Sequence, residues 1–286
     1  MIFIILSVLF NSVLFVILKL FTKFKVNTLQ ALVVNYLTAF TLGFFLADFP
    51  SNYNQIIQKS WFTGSFLLGF LFISVFYVTA LTSQRNGLSV ASVASKMSVI
   101  IPIAFGILLF KENLGILKIG GILLALVAVY FTSKKEKGKI TEKTNLLYPI
   151  LVFFGAGAID TSLKILQHFH MESSEIPLFS AHTFLMAFGV GSLLVLSKVV
   201  IHKEKIYGKS ILAGIILGIP NYFSLFYLIK MLESQVFESA TLFTLHNIAI
   251  VLVTTLTGIV FFKERITPRN ALGIGLAVVA LFLITF

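Results

Sequence analysis

The chain has 286 residues, of which 58% are hydrophobic and only 12% charged, with a mean hydropathy of +1.00; that is about half the charged share of a soluble globular domain, so its solvent is mostly lipid. The formal net charge of +11 sits in short connectors between apolar runs, without the aromatic-interleaved basic domain a nucleic-acid partner would need. Cysteine is absent, which excludes disulfides, thiolate metal sites and cysteine nucleophiles.

About 20 consecutive apolar residues cross a bilayer core as a helix, and the runs here are far longer than the alternating strands of an outer-membrane barrel. Breaks at charge, Pro and Asn clusters predict an all-α integral membrane protein with ten transmembrane helices. The first five spans cover Ile2 to Phe21, Leu29 to Ala47, Trp61 to Thr82, Ser89 to Phe110 and Leu114 to Thr132. The first begins at Met1 with no basic leader or clear cleavage site, so it is expected to be retained. A basic, solvated linker, Ser133 to Asn145, follows. The last five spans cover Leu146 to Gln167, Glu175 to Ser197, Ile211 to Leu232, Phe237 to Phe262 and Pro268 to Phe286.

The second half echoes the first. The elbow Phe110-Lys111-Glu112-Asn113 between spans four and five returns 152 residues later as Phe262-Lys263-Glu264-Arg265. Leu18-Lys19 matches Leu163-Lys164 at an offset of 145, and Gly64, Ser74 and Phe76-Tyr77 match Gly214, Ser224 and Phe226-Tyr227 at 150. The offset grows in chain order, as small insertions in a duplicated gene would produce. The expected organisation is a five-helix repeat over residues 1–132, the linker over 133–145 and a second five-helix repeat over 146–286. Five is odd, so the copies enter the membrane inverted, an architecture that gives two equivalent ways of closing around a midplane site. Sixteen Lys and Arg residues fall on the odd-numbered connectors and five on the opposite side. The positive-inside rule then expects an inner (plasma) membrane protein with both termini outside.

Ten spans in two repeats, each with a glutamate-bearing elbow and glycines just beyond it (Gly120-Gly121; Gly273 and Gly275), resemble the drug/metabolite transporter superfamily, EamA-like branch. Pro102 fits the family's fourth-span proline, whereas Thr254 stands at that place in the second repeat, and Lys111 and Lys263 replace the elbow glycine. The resemblance implies a secondary carrier, more often an exporter, of small metabolites or amino acids working by alternating access. Family members are often described with both termini cytoplasmic, against the charge count. No nucleotide-binding motif or soluble domain is visible, and no cofactor is expected.

Ionisable and polar groups inside spans are costly and mark candidate sites. Lys96 on span four, with no acid within one helical turn, needs a carboxylate, carbonyls, water or an anionic substrate group; the plainer account is a lysine snorkelling to the interface. The resemblance adds that phosphate-translocating members use basic residues on spans four and nine, which makes Lys96 an anion-contact candidate with His246 and Asn247 as weaker counterparts. Asp160 on span six can pair with Lys164 four residues on, can pair with Lys96 across the repeats, or can couple transport to a proton, because an ionised carboxylate is costly in apolar surroundings. His182 and His246 are candidate relays, histidine being the side chain that ordinarily exchanges protons near neutral pH, though each also suits hydrogen-bonded packing. No spacing supports a metal site. Asn35 falls opposite His182 in the repeat register. Asn11, Tyr77, Asn221 and Tyr227 complete the expected cavity lining, and Pro102 and Pro220 are expected hinges. Glu112 and Glu264 read as structural, each capping the next helix and pairing with its neighbouring lysine.

The expected function is a permease for a small polar substrate in the lipid bilayer, driven by a proton or counter-substrate, as a monomer or homodimer. The competing classes are an intramembrane enzyme acting on lipid or peptide and a non-transporting membrane receptor. The first lacks a nucleophile motif and a second deep carboxylate; the second would more naturally carry long loops or a soluble domain.

Overall fold

The computed structural model describes residues 2–46, 54–102, 105, 116–133, 146–233, 239–264 and 266–285. The elbow at 110–113 and the linker at 134–145 lie outside them. Ten helices of ten or more residues run through the described chain: α1 Ile2–Lys23, α2 Thr28–Leu46, α3 Phe62–Arg85, α4 Leu88–Met97, α5 Ile116–Ser133, α6 Leu147–His170, α7 Ile176–His202, α8 Gly208–Glu233, α9 Ser239–Val260 and α10 Pro268–Thr285. One-turn helices at Asn54–Ile57 and Ser173–Glu175 sit in connectors, and the described residues contain no strand. Six helices, α1, α2, α3, α6, α7 and α8, are long and apolar enough to cross a membrane; four shorter apolar helices accompany them, including Leu88–Pro102, which extends α4. Leu, Ile and Phe side chains such as Phe45, Leu193 and Phe261 point outward. Such an outer surface is stable only in lipid, and the protein is an all-α membrane protein.

Local chemistry sets the helix limits. Asn27 accepts the Gln30 N–H at the start of α2, and Thr267 and Asn270 bond reciprocally around the first turn of α10, satisfying donors a helix start leaves orphaned. Pro177 occupies the first turn of α7, where its missing N–H costs nothing. Gly87 precedes α4 with φ of 116°, a backbone state open to glycine at little strain.

Packing relies on small residues where helices meet, as lipid supplies no hydrophobic drive between them. Helix α5 lies on α10 through Ala125, Ala128, Ala277 and Ala280, all fully buried. Helix α2 packs against α7 and α8, and α3 against α6 and α7. At Gly218 of α8 a Cβ would stand 2.7 Å from the Asn35 carbonyl oxygen of α2, so only glycine lets the two backbones approach this closely.

Two polar clamps tie the connectors. On one face the Gln30 side chain donates to the Lys205 carbonyl (2.8 Å) and accepts from the Tyr207 N–H (3.1 Å), while Asn27 bonds Glu204 and Ser210. On the other, Glu175 takes an ion pair from Lys59 (2.6 Å) and the Trp61 indole N–H (3.3 Å), and Ser60 donates to the His170 carbonyl.

Candidate functional site

A cavity of about 140 Å³ lies in the middle of the protein, walled by α1, α3, α4, α6, α7 and α8. Its apolar wall includes Phe15, Phe72, Phe76 and Phe184; its polar groups are Asn11, Thr79, Ser95, Lys96, Asp160, Asn221 and Ser224. Lys96 and Asp160 come from different halves of the chain and are each half-buried. They lie near enough to feel each other's charge, yet no ion pair within 4.0 Å joins either to another described residue. The cavity therefore holds a separated positive and negative pole within a mostly apolar lining, where charges act more strongly on a bound solute than in water. Asn221, 3% exposed, keeps an amide Nδ2 without a partner among the described residues. A buried donor left open is costly and favours a solute or water that would accept from it.

Of the residues expected at the site, Asn11, Lys96, Asp160 and Asn221 meet in this cavity. Lys164 is exposed and no ion pair joins it to Asp160 among the described residues. His246 lies outside the lining at 1% exposure and shares a 2.9 Å hydrogen bond with Ser7 of α1; it is within the electrostatic reach of Lys96. Asn247 beside it is buried. His182 is fully buried between α7 and α3, bonded to Ser65 at 2.8 Å and flanked by the rings of Trp61 and Phe62. Asn35 is buried on α2 with neither amide atom bonded among the described residues. Tyr77 packs on the main apolar core, and Tyr227 stacks with Phe3, Phe10 and Phe223. Pro220 lies inside α8, one residue before Asn221, and Pro102 is buried just beyond α4.

Thr79, Ser224 and Phe184 line the cavity without having been singled out in the sequence; Ser224 alone carried a signal, as a position matched between the repeats. Glu264 departs from the expectation of a local cap. Its carboxylate crosses to the other half of the chain, where Oε1 accepts from the Leu88 N–H at the start of α4 (2.7 Å) and pairs with Lys19 of α1 (3.3 Å). Lys263 carries φ of 51° beside it, which turns the chain back so that the next side chain faces the bundle. Among the described residues no group of three His, Asp or Glu could hold a metal ion.

A helical bundle with an apolar outer surface thus surrounds a cavity lined by charged and polar groups. The model of the EamA-like transporter family matches residues 1–134. An uncharacterised protein of Haemophilus influenzae is 29% identical over 273 residues, covering 93% of this chain and 91% of its own. One protein crystal structure superposes with a TM-score of 0.58 at 12% identity, over 97% of this chain and 96% of that one, a likeness of fold alone.

Proposed function

We propose that the protein is a secondary active permease, working as an exporter, that moves a small polar metabolite or amino acid across the inner membrane by alternating access around the central cavity. The observation that carries this reading is the placement of Lys96 and Asp160, one from each half, in the lining of a single cavity with Asn11 and Asn221. An ammonium can receive a substrate carboxylate or other anionic group, and a carboxylate can receive an amine or a proton. Asp160 is the coupling candidate, with His246 behind Lys96 as a relay.

The helix contacts support two related halves over residues 1–132 and 146–286. Helix α1 lies on α8 as α6 lies on α3; α2 on α8 as α7 on α3; α1 on α9 as α6 on α4; and the equivalent pairs α2 with α7, α4 with α9 and α5 with α10 meet each other. Bends at Pro102 and Pro220 would let the halves exchange which end of the cavity is open. The excess of Lys and Arg on the odd-numbered connectors favours placing them in the cytoplasm.

The test is flux into proteoliposomes across a panel of amino acids, sugars and organic anions. Saturable uptake or counterflow of at least one solute is expected, lost in Lys96→Met for a substrate with an anionic group and uncoupled from the proton gradient in Asp160→Asn. Absence of saturable flux for every class, with ligand-independent thermal stability, would refute it, since a ligand that binds the folded state must stabilise it.

A further inference from the structure

Glu264 makes the contacts of a cross-chain latch. It leaves the connector after α9, and its own N–H bonds the Gly258 carbonyl at 2.9 Å, which fixes the turn. The carboxylate then reaches three groups from other elements: the Leu88 N–H at 2.7 Å, the Ser89 hydroxyl at 3.4 Å and the Lys19 ammonium at 3.3 Å. Lys19 in turn donates to the Ser83 carbonyl at the end of α3, at 2.8 Å.

Two glycines make the room. A Cβ on Gly258 would lie 2.7 Å from Glu264 Oε2, and one on Gly87 would lie 3.3 Å from both carboxylate oxygens, where φ of 116° already disfavours other residues. The space is shaped around a carboxylate. The contacts are largely shielded, with Lys19 and Glu264 side chains only 19% and 15% exposed.

The latch sits one turn from the cavity. Leu18 precedes Lys19 and Thr79 lies four residues before Ser83, and both line the cavity. Helix α4 begins at Leu88 and carries Lys96 eight residues on, about 12 Å along the axis. Whatever holds the first turn of α4 therefore sets the height of Lys96 and the closure of this mouth together.

We propose that Glu264 is a positioning residue that latches α1, α3 and α4 to the α9–α10 connector, closes the cavity on that face and must release for substrate to pass there. This rests on the alternating-access reading.

The chain's lack of cysteine allows a direct test. Ser95→Cys places one thiol in the cavity wall, and membrane-impermeant maleimide is added to vesicles from either face, in the otherwise native protein and with Glu264→Ala, Glu264→Gln or Lys19→Met. Release of the latch is expected to speed labelling from the face of the α9–α10 connector by about tenfold, a typical size for a coupling between two conformations. It should also slow labelling from the opposite face. Glu264→Gln keeps an acceptor for the Leu88 N–H and should fall between, and it serves as the test if Glu264→Ala does not fold. Unchanged rates in cooperatively melting variants, or equal acceleration from both faces, would overturn the latch. Labelling needs no substrate, so unchanged labelling beside saturable flux would sink the latch alone, and altered labelling without flux would sink the transport reading alone.

Discussion

Replacing Gly218 by Ala should destabilise the protein where the same change at Gly189 does not. At Gly218 the new methyl would stand 2.5 Å from Thr38 Cβ and 2.7 Å from the Asn35 carbonyl oxygen; at Gly189 nothing lies within 4 Å. Carbon atoms rest about 3.5 to 4.0 Å apart, so α8 would have to retreat from α2 by about 1 Å. The carbonyl belongs to a helix backbone and cannot rotate away. Overpacking of this kind costs about 1–3 kcal/mol, whereas both substitutions gain about 1 kcal/mol of helix propensity. Comparing the two variants cancels the propensity and leaves the steric cost. The single tryptophan, Trp61, is fully buried, so thermal unfolding in detergent can be followed by its emission. Gly189→Ala should melt at or above the native temperature and Gly218→Ala below Gly189→Ala by the equivalent of about 1–3 kcal/mol. Transport should fall as well, because Asn221 and Ser224 follow on the next turns of α8 and line the cavity. Equal melting of the two variants would refute the close-approach account of this interface.

The clamp at Lys59 and Glu175 has a defined pH window. Burial alone would raise the Glu175 carboxyl, but the Lys59 hydrogen bond and charge, the Glu172 backbone N–H and the Trp61 indole outweigh it and hold it below its ordinary 4.5. The hydrogen bond and charge of Glu175 hold Lys59 above its ordinary 10.5. A depressed carboxyl stabilises the fold above its unfolded value, and a raised ammonium does so below its unfolded value. The pair's contribution should thus be complete between pH 4.5 and 10.5, fading on either side as the folded values are crossed; a flat melting profile relative to Glu175→Gln across those limits would count against it. Thr254 donates to Ser92 at 2.7 Å between α9 and α4, and a double-mutant cycle of Thr254→Val with Ser92→Ala should return a coupling of about 0.5–1.5 kcal/mol. Additive effects in that cycle would show that the bond contributes nothing to holding α4.

The sequence was legible where the rule is local. Hydropathy placed the spans close to the described helices, because lipid demands an apolar run of fixed length; the end expected for the fourth span, Phe110, lies outside the described residues. Asn27, Pro177 and Pro268 mark helix starts by chemistry that acts within one turn. The site was legible in part for the same reason: Lys96 and Asp160 stand out as charges among apolar neighbours. What could not be read was partnership across the bundle. His182 and His246 look alike in sequence, yet one packs on Ser65 between α3 and α7 and the other on Ser7 between α1 and α9. Glu264 read as a local cap because its nearest sequence neighbours offer one, whereas its partners, Lys19 and Leu88, stand 245 and 176 residues away. Only the folded chain brings those groups together.

The two connector clamps carry a mechanical consequence. The bonds of Gln30 and Asn27 fasten the start of α2 to the run between α7 and α8, and those of Glu175 fasten the start of α7 to the run between α2 and α3. Helices α2, α3, α7 and α8 are thereby pinned at opposite membrane surfaces, as a frame bolted at both ends. A frame so held moves only where one of its helices bends, and Pro220 places such a bend inside α8. Movement that exposes Lys96 to alternate sides would combine that bend with shifts of α4, α5, α9 and α10.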